Sequence, residues 1–107
     1  MLSQKKCLIH SGNTRALDKN TLKEYFLELK NWQISSDARW IFKEFKFKNF
    51  VEALEFVKKV ALISESEQHH PNINFTWGYC KISIQTHKIN QLCENDFILA
   101  AKIDLIC

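Results

Sequence analysis

The apolar residues of this 107-residue chain change their spacing repeatedly along its length, and that switching constrains the fold more than any other property. From Asp18 to about Lys30, Leu22, Tyr25, Phe26 and Leu29 share one helical face. Asp18 or Thr21 serves as N-cap, and Glu24 completes a capping box if Thr21 is the cap. In "NWQISSDARWIFKEFKFKNF" the period becomes that of a half-buried strand, with Ile41, Phe45 and Phe47 set against Glu44, Lys46 and Lys48; "SSD" marks a hairpin turn. Asn49 then caps a second helix that places Phe50, Leu54, Val57 and Ala61 on one face and keeps Glu52, Glu55, Lys58 and Lys59 wet. After Pro71 two further strands follow. The second puts Cys80, Ile82, Ile84 and Thr86 on one side, Lys81, Ser83 and Gln85 on the other, and ends at His87. A last helix starts near Glu94, with Phe97, Ile98, Ala101 and Leu105 on one stripe and Leu99, Ile103 and Ile106 beside it.

The order α-β-β-α-β-β-α predicts an α+β fold, a four-stranded antiparallel sheet with three helices packed on one face. The last helix is apolar over a wider arc than one side of a small sheet needs, which points to an oligomer interface. With two glycines and one proline there is no linker and no repeat, so residues 18–107 are expected to form a single domain behind a flexible N-terminal arm, residues 1–17.

A net charge of +3, with lysines dispersed among glutamates, lacks the footprint of a nucleic-acid binder. No stretch approaches a membrane span or a signal-peptide core, and the chain reads as cytoplasmic. Cys7, Cys80, Cys93 and Cys107 are too scattered for a zinc knuckle or redox dithiol and are expected to be free thiols.

"QHHP", residues 68–71, carries the chemistry. His69 and His70 stand where a helix hands over to a strand, and His87 where a strand hands over to a loop. Histidine gives and takes protons near neutrality, so a cluster without metal makes an acid/base site. Metal-binding helices space their histidines four apart, whereas neighbours diverge, and no partner ligand lies at a matching spacing; no metal is expected. The plain alternative is that the histidines cap the helix C-terminus. Glu65 lies one turn before His69, within reach of that imidazole; otherwise it is a solvated surface glutamate. Asp96 falls in the first turn of the last helix, where it favours the helix dipole or orients a histidine.

"FKEFKFKNFVEALEFVKKVALISESEQHHP", "KISIQTH" and "LCENDFILAAKID", in this order, resemble the pterin-4a-carbinolamine dehydratases over about residues 32 to 104. The resemblance implies cofactor-free dehydration of a 4a-hydroxytetrahydropterin to quinonoid dihydropterin, in tetrahydropterin recycling. It matches His69, His70 and His87 to the family histidines, Glu65 and Asp96 to their acidic partners, and Pro71 to the proline that pins the loop. His69 and His87 are then assigned to proton transfer and His70 mainly to binding the pterin ring. Trp32 falls where the family carries an aromatic near the pocket, or else packs in the core or at its rim. A homodimer or homotetramer is implied, and the alternative function is that of a non-catalytic dimerisation or assembly cofactor for a protein partner. Two departures bear on the loop after His87: Gln91 replaces a glycine, and Cys93, a weaker N-cap, replaces Thr or Ser.

Overall fold

The computed structural model describes residues 1–7 and 16–106; residues 8–15 of the expected arm and the last thiol, Cys107, lie outside them. The elements are α1 (Lys19–Leu27), β1 (Gln33–Ile34), β2 (Ile41–Lys46), α2 (Phe50–Glu67), β3 (Asn72–Thr76), β4 (Tyr79–Ile84) and α3 (Glu94–Asp104), in the order the periodicity predicts. The sheet runs β1-β2-β4-β3 with every neighbouring pair antiparallel. Sequence-distant β2 and β4 thus form its centre. Their register pairs Ile41 with Ile84 and Phe45 with Cys80 on the core face, while Phe42 meets Ser83 and Glu44 meets Lys81 on the other. Trp77 and Gly78 turn β3 into β4. Gly78 sits at φ +73°, and a Cβ there would stand 3.0 Å from the Phe47 carbonyl oxygen, so both backbone and space favour glycine.

Asp18 is the cap of α1, its Oδ1 accepting the Thr21 N–H at 2.8 Å. Asn49 caps α2 through its Oδ1 and the Glu52 N–H at 2.9 Å, and the Glu52 carboxylate returns to the Lys48 N–H at 3.1 Å. The buried face of α2 is not the one expected. Ala53, Phe56, Val60 and Ser64 point inward, while Phe50 and Ala61 are exposed and Leu54 and Val57 are half-buried flanks. Phe50 lies in the first turn at the sheet rim, where its ring meets Phe75 at 5.5 Å.

The breadth of α3 also has an explanation within the chain. Residues 95–101 and Ile103 are buried, because α2, α1 and the N-terminal segment all pack on it; Leu105, by contrast, is exposed. Tyr25 of α1 meets Phe97 at 5.9 Å. Residues 1–7, assigned from sequence to the arm, include a short 3-10 turn, Leu2–Gln4, and Leu2 is only 1% exposed. The Leu2 N–H donates to Glu28 at 3.0 Å and the Cys7 N–H to Glu67 at 2.7 Å, while Glu67 also accepts from Lys102 at 2.8 Å. A single buried leucine contributes about 1.5–3 kcal/mol, enough with these hydrogen bonds to seat a segment that shows no periodicity of its own. Burial, reinforced by the neighbouring Glu67 carboxylate, pushes the Cys7 thiol up to about 12.

Candidate active site

The site begins with one residue in an unusual conformation. Gln68, the C-cap of α2, adopts φ 53°, ψ 38°, and the N–H of His69 folds back to the Ser64 carbonyl at 3.1 Å. This left-handed turn sends the next two side chains in opposite directions. His69 goes inward and is 5% exposed, whereas His70 stays at the surface.

Inside, His69 Nε2 lies 2.6 Å from Asp96 Oδ1. The other oxygen of Asp96 accepts the Thr86 hydroxyl and the Cys93 N–H, both at 2.8 Å. Asp96 is fully buried in the first turn of α3, with His69, Thr86 and the Cys93 N–H around its two oxygens. A carboxylate only accepts, so the proton of the short contact belongs to His69 Nε2. The Thr86 hydroxyl is also 2.8 Å from Cys93 Sγ, which ties the end of the β4 segment to the cap of α3. Burial, reinforced by Asp96, raises the Cys93 thiol above its ordinary value. The loop between them closes through the Thr86 N–H and Gln91 carbonyl at 3.1 Å, with Asn90 at φ 51° taking a left-handed conformation. Cys93 in place of a hydroxyl residue thus still permits a capped helix, because Asp96 accepts the N–H of the cap residue.

Outside, Glu65 Oε1 lies 3.1 Å from His70 Nε2, both groups exposed. Helical spacing pointed Glu65 at His69; the reversal at Gln68 gives it His70 instead. Gln68, His69, His70, Gln85, Thr86, His87 and Lys88 line one open cleft of about 180 Å³. The histidines from the two ends of "QHHP…TH" therefore face a common space. His87 is exposed, and its ring meets the Trp40 indole edge-on, centroids 5.8 Å apart and planes at 72°.

Of the remaining expected residues, Pro71 stands half-buried directly before β3, and neither it nor Trp32 lines the cleft. Trp32 is 4% exposed in the core, its indole N–H donating to Asp104 at 2.9 Å beside the Lys43 ammonium, also 2.9 Å from Asp104. Gln85 was expected on the wet side of its strand but is buried against the cleft. Sequence reasoning missed Gln85 as a cleft residue and Trp40 as a ring contact of His87. Continuing the β2–β4 register one step places them opposite each other, a signal that exists only once the pairing is known. Among the described residues no cluster of three or more His, Cys, Asp or Glu is placed to hold a metal ion, and no helix is long and apolar enough to cross a membrane.

A model of the family "Pterin 4 alpha carbinolamine dehydratase" matches residues 15–106. A Rickettsia canadensis protein named "Putative pterin-4-alpha-carbinolamine dehydratase" is 50% identical over 105 residues, 97% of this chain and 95% of its own. The solved structure of a transcriptional coactivator/pterin dehydratase from Brucella melitensis superposes with a TM-score of 0.80 at 29% identity, covering 86% of this chain and 98% of that one. A pterin dehydratase-like protein described as a RuBisCO assembly factor in the alpha-carboxysome superposes at 0.62 with 26% identity, covering 74% and 92%. Fold and likeness over nearly the whole length agree: the chain belongs to the pterin 4 alpha carbinolamine dehydratase family.

Proposed function

We propose that the chain is a hydro-lyase that converts a 4a-hydroxytetrahydropterin to quinonoid dihydropterin and water in tetrahydropterin recycling, by histidine acid/base catalysis without metal. The observation that carries this reading is the convergence of His69, His70 and His87 on one cleft, with Asp96 bonded to the first and Glu65 to the second. In the reaction the bond from C4a to the hydroxyl oxygen breaks, the neighbouring ring nitrogen loses its proton, and a carbon–nitrogen double bond forms. Hydroxide leaves poorly unless protonated, so an acid and a base are both needed. His69, oriented by Asp96 through Nε2, serves as the base. His87, exposed and able to exchange protons with water, serves as the acid, and His70 binds the ring.

The test is the dehydration rate of freshly generated 4a-hydroxytetrahydropterin, with chelator present, for the wild type and for His87→Ala. Acceleration that persists in chelator and falls by about 10² or more in the variant is the expected result. No acceleration by folded wild type refutes the reading and favours a non-catalytic dimerisation or assembly role, which the likeness to the assembly factor keeps in view. We further propose a cytoplasmic homodimer or homotetramer; exposed Val51 and Leu62 on α2 offer apolar surface for such contact, and gel filtration with light scattering checks it.

A further inference from the structure

We propose that Trp40 is a positioning residue for His87, holding its imidazole in the orientation that proton transfer requires. This inference rests on the assignment of His87 as a proton-transfer group. Each histidine of the cleft has a different means of support. Asp96 holds His69 and Glu65 meets His70, but His87 follows the end of β4 in a turn, and its imidazole meets the Trp40 ring edge-on, centroids 5.8 Å apart. An exposed imidazole on a turn samples several rotamers, and a tilted aromatic contact favours one of them.

Trp40 is itself held on both sides. Its backbone N–H donates to Ser35 Oγ at 3.0 Å and its carbonyl accepts the Ser35 N–H at 2.9 Å, while the Ser35 hydroxyl donates to Asp37 at 2.6 Å. The hairpin between β1 and β2 thus fixes the backbone that carries the half-buried indole. The sheet register dictates where it goes. Ile41 pairs with Ile84, so one further step of the register sets Trp40 opposite Gln85, a cleft residue two positions before His87. The contact therefore joins a hairpin far from "QHHP" to the acid/base site.

The first measurement is independent of catalysis: nuclear Overhauser contacts between the His87 and Trp40 rings in the labelled protein. They are expected in the wild type, and loss of the indole in Trp40→Ala should move the His87 ring resonances. No ring-to-ring contact in the wild type overturns the proposal. In dehydration kinetics, Trp40→Ala should lower kcat about tenfold, about 1.4 kcal/mol, with KM changed less than about twofold, and Trp40→Phe should recover most of the loss. The double variant Trp40→Ala/His87→Ala should be no slower than His87→Ala alone, because a residue acting through His87 has nothing left to position. Additive losses overturn the proposal. Should the wild type not accelerate dehydration, the dehydratase reading falls, and the ring contacts alone decide whether Trp40 orients His87.

Discussion

Replacing Asp96 by asparagine separates the part of the buried network that holds the fold from the part that sets the tautomer of His69. The carboxylate accepts three hydrogen bonds without exposure to water: His69 at 2.6 Å, and the Thr86 hydroxyl and Cys93 N–H at 2.8 Å each. Asparagine fits the same space, and its single oxygen can keep the Thr86 and Cys93 bonds. Its amide nitrogen then faces His69 Nε2 with a donor, so the imidazole proton must move to Nδ1 for the contact to survive. The cost is the difference between a charge-assisted bond and a neutral one, about 1–2 kcal/mol. Asp96→Ala instead strips an acceptor from three buried donors at about 1–3 kcal/mol each, which rivals the total stability of a small domain. In urea unfolding, with a slope of about 1–3 kcal/mol per molar, the Asn variant should lose roughly 1 M of midpoint, and the Ala variant should scarcely fold. Nitrogen-15 shifts of the His69 ring should report Nε2–H in the wild type and Nδ1–H in the Asn variant. Dehydration should fall by about 10² or more in that variant, because the proton that Asp96 holds on Nε2 has changed nitrogen. Retention of Nε2–H in the Asn variant, or equal damage from Asn and Ala, would refute the account.

Two further predictions concern the frame around the site. Gly78→Ala, at φ +73° and 3.0 Å from the Phe47 carbonyl oxygen, should destabilise the β3–β4 hairpin by about 1–3 kcal/mol, measured as a lower urea midpoint; an unchanged midpoint would show that the turn relaxes. Burial raises the Glu67 carboxyl, but the Lys102 ammonium and the Cys7 N–H outweigh it, leaving the group below its ordinary 4.5. A folded-state value below the unfolded one gives stability that is fully present above the unfolded value and lost as pH falls toward the folded one. Glu67→Gln should therefore narrow the gap between urea midpoints at about pH 6 and about pH 3, and an unchanged gap would count against the docking of residues 1–7 through Glu67.

The order of elements was legible because each change of apolar period coincides with a change of structure, and the caps Asp18 and Asn49 are chemically explicit. The buried face of α2 was not, because Phe50 is apolar for its rim contact with Phe75 while Ser64, which faces the core, satisfies its hydroxyl on the Val60 carbonyl at 2.8 Å. Leu2 escaped notice for a similar reason: one isolated apolar residue has no period. At the site, His69, His70 and His87 could be picked out as side chains, and their meeting in one cleft followed from the resemblance. The pairing of Glu65 could not be read correctly, since helical spacing assumes that the helix continues and Gln68 ends it in a left-handed turn. Trp40 was invisible because its significance depends on the register between strands separated by a whole helix.

That left-handed residue divides a doubled histidine into two unlike jobs. One imidazole becomes an anchor whose loss should be felt first as scarce, poorly folded protein; the other remains a replaceable tool whose loss should be felt only when substrate is supplied. A survey of random variants would then score "HH" as two unlike letters, one filtered by expression as well as activity and the other by activity alone. A single glutamine ahead of them, strained into the turn, draws the line between the two selections.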